Sequence, residues 1–207
     1  METERKVIDR MREAWSALSE RFAAYHLILP GSASFICQAE KCVAHCCKVY
    51  SVSLSERELE RLSRFSGLEP VELLECEDGE PIALPLAQPY VLARRNGTCA
   101  LLGDDLRCTQ YHGRPEACRL YPHFVVFINQ ETGRPVHGDL DGMRASMSAA
   151  IHNHDPGPYV PLLLGHVECP GFTGPPLDAD GWRDLMARTF RLQYLPMDSF
   201  EGLAAEA

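Results

Sequence analysis

Cys37-Gln-Ala-Glu-Lys-Cys42-Val-Ala-His-Cys46-Cys47 packs four thiols into eleven residues, and the fold has to be built around them. Working outward, Cys99, Cys108 and Cys118 follow at near-even spacing, and Cys169 stands alone in Glu-Cys-Pro-Gly. The ninth cysteine, Cys76, lies in the acidic stretch Glu75-Cys76-Glu77-Asp78 and reads as a bystander. Thiolates are soft, charged donors suited to Zn(II), Cu(I) and iron–sulfur clusters. Eight of them can serve two four-thiolate metal sites or a larger iron–sulfur assembly. The candidate metal ligands are therefore Cys37, Cys42, Cys46, Cys47, Cys99, Cys108, Cys118 and Cys169.

Disulfides are the competing use of cysteine. Nine cysteines in 207 residues fall well below the density of a small secreted scaffold, and an odd total leaves one unpaired. The N-terminal residues are charged from the start, with no signal-peptide core. No apolar run approaches the roughly 20 residues of a membrane span; the longest, Phe124 to Ile128, is strand-sized. The expected location is the reducing cytoplasm, where clustered cysteines serve metals more often than disulfides. The expected cofactor is zinc or an iron–sulfur cluster, and the expected partners are metal ions. The net charge of −9 argues against extended nucleic-acid contact, which rests on neutralising phosphates. No membrane and no particular protein partner are indicated.

Spacing narrows the chemistry. On a helical turn Cys42 and Cys46 share a face, while Cys47 points about 100° away from Cys46. An adjacent pair suits two neighbouring centres better than one small ion. The chain has no Cys-x-x-Cys, which counts against a thioredoxin-like dithiol and removes the usual zinc-knuckle spacing. His45, His112, His123 and His166 lie within five residues of framework cysteines as substitute ligands, His166-x2-Cys169 having the most ligand-like spacing. His152-Asn153-His154-Asp155 reads as a solvated loop. Lys41, Lys48, Arg107, Arg114 and Arg119 sit close enough in sequence to offset thiolate charge. No phosphate-binding loop, dinucleotide fingerprint, His-Glu-x-x-His or nucleophile elbow is present, so no catalytic residue and no reaction are assigned.

The expected fold is α+β: a small, irregular, metal-stapled domain with a β-hairpin, short strands and flanking amphipathic helices. A chain of this length buries about 70% of its unfolded surface, and residues 1–207 read as a single domain. Its parts are an N-terminal helix (1–29), a cysteine-cluster core (30–175) and a C-terminal helix and tail (176–207). Val7, Met11, Trp15, Leu18 and Phe22 give a helical period over 4–25. Val49–Ser53 alternates like a strand. Ser55 and Glu58 form a capping box for a helix with Leu59, Leu62 and Phe65 inward and Gly67 as its stop. A shorter helix follows Pro70, and 76–89 is an acidic, proline-rich loop. Gly103-Asp104-Asp105 is the expected hairpin turn: a four-residue loop there aims Cys99 and Cys108 at one face, and a three-residue loop separates them. Residues 114–120 form a short helical turn, 123–129 a strand, 134–142 a second strand and 143–152 a helix. Residues 155–161 and 170–176 are loops. A final helix begins at Asp178 or Asp180 with Trp182, Leu185, Met186 and Phe190 inward.

With these pieces in place, the chain resembles the YkgJ-type CxxCxxCC cysteine-cluster family, whose members are described as zinc or iron chelators. The resemblance rests on the clustered cysteines, on Val52-Ser53-Leu54-Ser55-x-x-Glu58 leading a helix, and on Gly97-Thr98-Cys99-Ala100-Leu101-Leu102. It continues through Arg107-Cys108-Thr109-Gln110-Tyr111, Arg114-Pro115-Glu116-Ala117-Cys118-Arg119-Leu120-Tyr121-Pro122 and Cys169-Pro170-Gly171, and spans about residues 35–175. The family signature has two-residue gaps before the cysteine pair; here the gaps are four and three. The resemblance implies bound metal, and such proteins are often labelled iron–sulfur oxidoreductases; beside a metal-binding protein, the alternative functions are an iron–sulfur redox enzyme or electron carrier and a zinc-stapled protein-interaction module. The cysteine module is also similar to that of flagellin lysine N-methylases, from which no activity is carried over.

Overall fold

The computed structural model describes residues 2–84 and 88–195. The expected tail beyond Leu195 and residues 85–87 of the expected acidic loop lie outside the described residues. The chain is α+β. Its first half contains α1 (Glu2–Ser16), β1 (Tyr25–Leu27), β2 (Ala33–Phe35), α2 (His45–Val49), β3 (Ser53–Leu54) and α3 (Glu56–Ser66), then β4 (Cys76–Glu77), β5 (Glu80–Pro81), β6 (Tyr90–Val91), β7 (Arg94–Arg95) and β8 (Thr98–Cys99). The second half contains α4 (Glu116–Leu120), β9 (His123–Asn129), β10 (Arg134–Pro135), α5 (Leu140–Ile151), β11 (Tyr159–His166), β12 (Phe172–Pro176) and α6 (Ala179–Tyr194). These gather into two compact units, one from the chain up to Ile36 together with Pro122–Tyr194, the other from Cys37–Tyr121. Among the described residues, no helix is long and apolar enough to cross a membrane.

The first unit is a four-stranded antiparallel sheet in the order β1-β11-β9-β10. β11 is central and buried from Val160 to Gly165, which explains its near-continuous apolar sequence; α1 and α5 pack on it and α6 packs on β9. Trp182 fills the core and donates its indole N–H to the Ile28 carbonyl at 2.9 Å. Beyond the short β10, the outer edge of β9 is closed by α6: Gln193 Oε1 accepts from Val125 N at 2.6 Å, and Tyr194 Oη donates to the Val125 carbonyl at 3.0 Å. An edge so covered offers no template for stray pairing.

Three expectations are corrected in this unit. The helix predicted over 4–25 ends at Ser16, because 25–27 leave it to pair with β11 in the register Tyr25↔His166, His26↔Gly165, Leu27↔Leu164. The strand predicted over 134–142 shrinks to two residues before Asp139 caps α5 through Gly142 N. The two predicted loops lose residues to strands: 159–161 begin β11, and 172–176 pair with β2. The strand at 123–129 and the final helix form as expected, with the Asp178 side chain accepting from Gly181 N. His152-Asn153-His154-Asp155 is a structural turn: Asn153 Oδ1 and the Asp155 carboxylate receive Arg183 and Arg10.

The second unit carries its own apolar cluster of Leu54, Leu59, Leu62, Leu73, Leu74, Leu92 and Leu101, with Cys99 and Cys108 packed against it. α3 forms as expected, with the reciprocal Ser55–Glu58 capping box and Gly67 in the left-handed region. Phe65 was expected inward but is 57% exposed; it lies over Gly113, where an added Cβ would come within 2.7 Å of its own. The helix after Pro70 is a 3-10 turn that buries Leu73. Within the predicted acidic loop, β4 and β5 pair around Asp78-Gly79, both at positive φ. The predicted strand 49–53 is displaced, since Val49 closes α2 and only Ser53 enters β3.

The predicted hairpin is also corrected. β7 pairs with β8 across Asn96-Gly97, at φ +52° and +78°, the pair of positive φ values that a tight two-residue turn demands. Around Gly103-Asp104-Asp105 only the single bridge Leu102↔Cys108 forms, neither of the two registers considered from the sequence.

Candidate metal centre

Seven of the eight framework cysteines line one cavity of about 670 Å³ in the second unit: Cys37, Cys42, Cys46, Cys47, Cys99, Cys108 and Cys118. They arrive on different elements. Cys37 and Cys42 flank a 3-10 turn at Ala39–Lys41. Cys46 and Cys47 sit on α2, Cys99 ends β8, Cys108 follows the 103–107 loop and Cys118 is on α4. Leu92, Leu101, Val52 and Ala117 supply apolar walls, and Tyr50, Tyr111 and Tyr121 line it too. No cysteine pair is joined in a disulfide among the described residues. The eighth candidate, Cys169, belongs to the first unit, between β11 and β12, with its N–H donated to the His166 carbonyl at 3.1 Å. Cys76 is exposed on β4 and is not among the lining residues.

Local structure explains the placement. Ala44, at φ +56°, turns the chain into α2 and accepts from Cys47 N and Lys48 N. A non-glycine residue pays for that left-handed geometry, and the return is a helix that begins right at the cysteine pair. α2 is too short to hold itself. Arg94 clamps its C-terminal end, donating to the carbonyls of Lys48 and Tyr50, both at 2.6 Å, and to Gly97 in the neighbouring turn. One guanidinium thereby ties the Cys46-Cys47 helix to the strand carrying Cys99. The sequence contained this signal only as a basic residue beside Asn96-Gly97.

The thiols perturb one another. Cys46 and Cys47 Sγ are 3.8 Å apart. The hydrogen bond from the Cys47 thiol brings Cys46 down to about 7, against its burial. Hydrogen bonding with the same Cys47 thiol, with burial again opposing, brings Cys99 down to about 7. Cys47, whose single proton is shared between the two, is raised. Burial pushes Cys118 up to about 12, with the nearby Cys99, Cys108 and Cys46 adding to it. Burial also raises Cys37 and Cys108. Arg114 opposes these rises; its guanidinium lies 4.0 Å over the Tyr111 ring. Of the predicted cations, Arg107 and Arg114 line the cavity, Arg119 is spent on the carbonyls of Arg114 and His112, and Lys41 and Lys48 are exposed.

Residues 36–137 match the CxxCxxCC family model, described as "Putative zinc- or iron-chelating domain". The chain carries a CxxCxxCC domain. It begins one residue before Cys37 and runs through Cys118 to two residues past β10. No curated protein and no solved structure matches the chain.

The donors of this CxxCxxCC domain fit such a metal in kind and in one distance. Tetrahedral zinc with Zn–S near 2.3 Å sets neighbouring sulfurs about 3.8 Å apart, the Cys46–Cys47 separation. As they stand, no three His, Cys, Asp or Glu side chains among the described residues converge closely enough to hold an ion. No histidine is among the lining residues. His45 packs edge-on to Tyr50, and His123 and His166 belong to the β-sheet of the first unit.

Proposed function

We propose that the protein is a cytoplasmic metal-binding protein whose cysteine framework holds zinc or an iron–sulfur centre. The observation that carries this reading is the convergence of seven thiols from five chain segments on one cavity. A single tetrahedral ion uses four ligands, so seven thiols favour more than one ion or a polynuclear cluster. Arg114 and Arg94 supply cationic charge beside the thiolates that such a centre requires.

Metal analysis after anaerobic isolation tests this. Stoichiometric iron and sulfide in a brown sample support an iron–sulfur redox protein or electron carrier and remove the zinc-only reading. A colourless sample retaining zinc supports a zinc-stapled module and removes the electron carrier. A metal-free protein that takes up neither metal overturns both.

Two further outcomes follow. Cys76→Ser leaves metal content unchanged, because its thiol faces the carbonyls of Val71 and Leu74; a loss of metal by inductively coupled plasma analysis would bring Cys76 into the site. Metal uptake at pH 7 releases protons. Cys37, Cys47, Cys108 and Cys118 are raised, so they hold their protons at neutral pH and the metal must displace them. Apparent affinity therefore rises with pH, and titration of the apo-protein in weak buffer with an indicator dye counts the protons released.

A further inference from the structure

We infer that Glu58 is a positioning residue for the thiol site: its carboxylate bridges the first turns of α3 and α4 and so fixes where Cys118 stands. The importance of Cys118 rests on the metal-binding reading above; the bridge itself does not.

Glu58 is only 4% exposed. Burying a carboxylate is costly unless it is paired and hydrogen-bonded, and a capping box does not require one, since Gln serves at the same position. Here both oxygens are in use. Oε2 accepts from Ser55 N at 3.4 Å to complete the box, and Oε1 accepts from Glu116 N at 2.7 Å, 58 residues away. Arg61 approaches Oε1 at 3.7 Å, and the same guanidinium nitrogen donates to the Arg114 carbonyl at 3.2 Å.

Glu116 N is one of the amides that an α-helix leaves without an internal acceptor. The residue before it is Pro115, which provides no side-chain cap. Glu58 is thus the external cap of α4, a helix of five residues too short to be stable alone. Two residues into it stands Cys118. The contact also joins Val52–Glu58 to Arg114–Tyr121, two stretches far apart in sequence.

Two amides facing two oxygens make the inference sharp. Glu58→Gln keeps the shape but presents an N–H to one of two N–H donors. Glu116→Pro removes the second donor together with the Glu116 side chain: Pro suits the first helical position, and Pro115 at φ −58°, ψ 157° already has the extended geometry required before a proline. The experiment is site-resolved alkylation of the full, reduced, metal-free chain. Cys118 labelling is expected to rise roughly tenfold or more in Glu58→Gln and in Glu116→Pro, reflecting the lost charge-assisted bond through local opening. Cys46 and Cys47 should stay near wild-type rates. In the Glu116→Pro background, Glu58→Gln should add nothing, because the opposing donor is gone. Unchanged Cys118 labelling, or an equal rise at every thiol, overturns the inference. Should Glu58→Gln fail to fold, Glu116→Pro gives the same readout.

Cobalt(II) supplies the second measurement. The thiolate-to-cobalt absorption lost in Glu58→Gln should equal that lost in Cys118→Ser, with no further loss in the double variant. Additive losses overturn the inference. If the wild type binds no cobalt, zinc or iron, the metal reading fails while the alkylation result still decides the role of Glu58.

Discussion

Cys99→Ser is expected to strip the protein of most of its metal and bring its thermal midpoint close to that of chelator-treated wild type. Cys99 ends β8 where three features meet. It packs against the leucine cluster, it takes a hydrogen bond from Cys47, and Arg94 ties its hairpin to α2. A serine there keeps the shape and loses the soft donor. Loss of an outer-shell partner alone can cost ~10–100-fold in metal affinity, and loss of a direct ligand should exceed that. A metal present at about 100 times its dissociation constant adds about 2.7 kcal/mol to the folded state, so weakened binding also shows as stability. Plasma emission analysis and thermal unfolding with and without chelator measure the two effects. A Cys99→Ser protein with wild-type metal content and midpoint would remove Cys99 from the ligand set.

Leu62→Ala should cost about 2–5 kcal/mol, the usual range for deleting a fully buried leucine side chain. Leu62 is 0% exposed and lies on α3 in the cluster that backs Cys99 and Cys108. The cluster is small, so few neighbours are available to close the cavity, and the cost should fall in the upper part of that range. Urea unfolding monitored by circular dichroism gives the number. The same substitution should speed alkylation of Cys108 in the apo-protein, because the wall behind the thiol has loosened. A cost below about 1 kcal/mol would show that these leucines are not a close-packed core.

Local chemistry was the readable part of the sequence. Ser55 and Glu58 announced α3 because a capping box is complete within four residues, and Pro122 marked the end of α4. Asn96-Gly97 was also there to be read, and Gly103-Asp104-Asp105 drew the hairpin assignment away from it; two positive φ values in succession made Asn-Gly the stronger signal. β1 could not be read, since Tyr25-His26-Leu27 becomes a strand only against β11, about 140 residues later. Pro161, Pro175 and Pro176 likewise obscured strands that sheet partners stabilise. At the site, donor type was legible from cysteine alone. The clamp by Arg94 and the second bond of Glu58 were not, because both are made to backbone groups, and a carbonyl or an amide leaves no trace in residue identity.

The discontinuity of the first unit has a consequence for how the molecule is assembled. β1 and β2 precede residue 37, whereas their partners β11 and β12 follow residue 158. During synthesis the thiol-bearing segment, unbroken from 37 to 121, is complete in the chain before either pairing can close. Its own contacts, such as β3 with β6 and Glu58 with Glu116, close within that segment, while β1 must wait for a loop of more than a hundred residues to close. The nascent cysteines therefore have a window in which to recruit their ions while the ends of the chain are still unpaired.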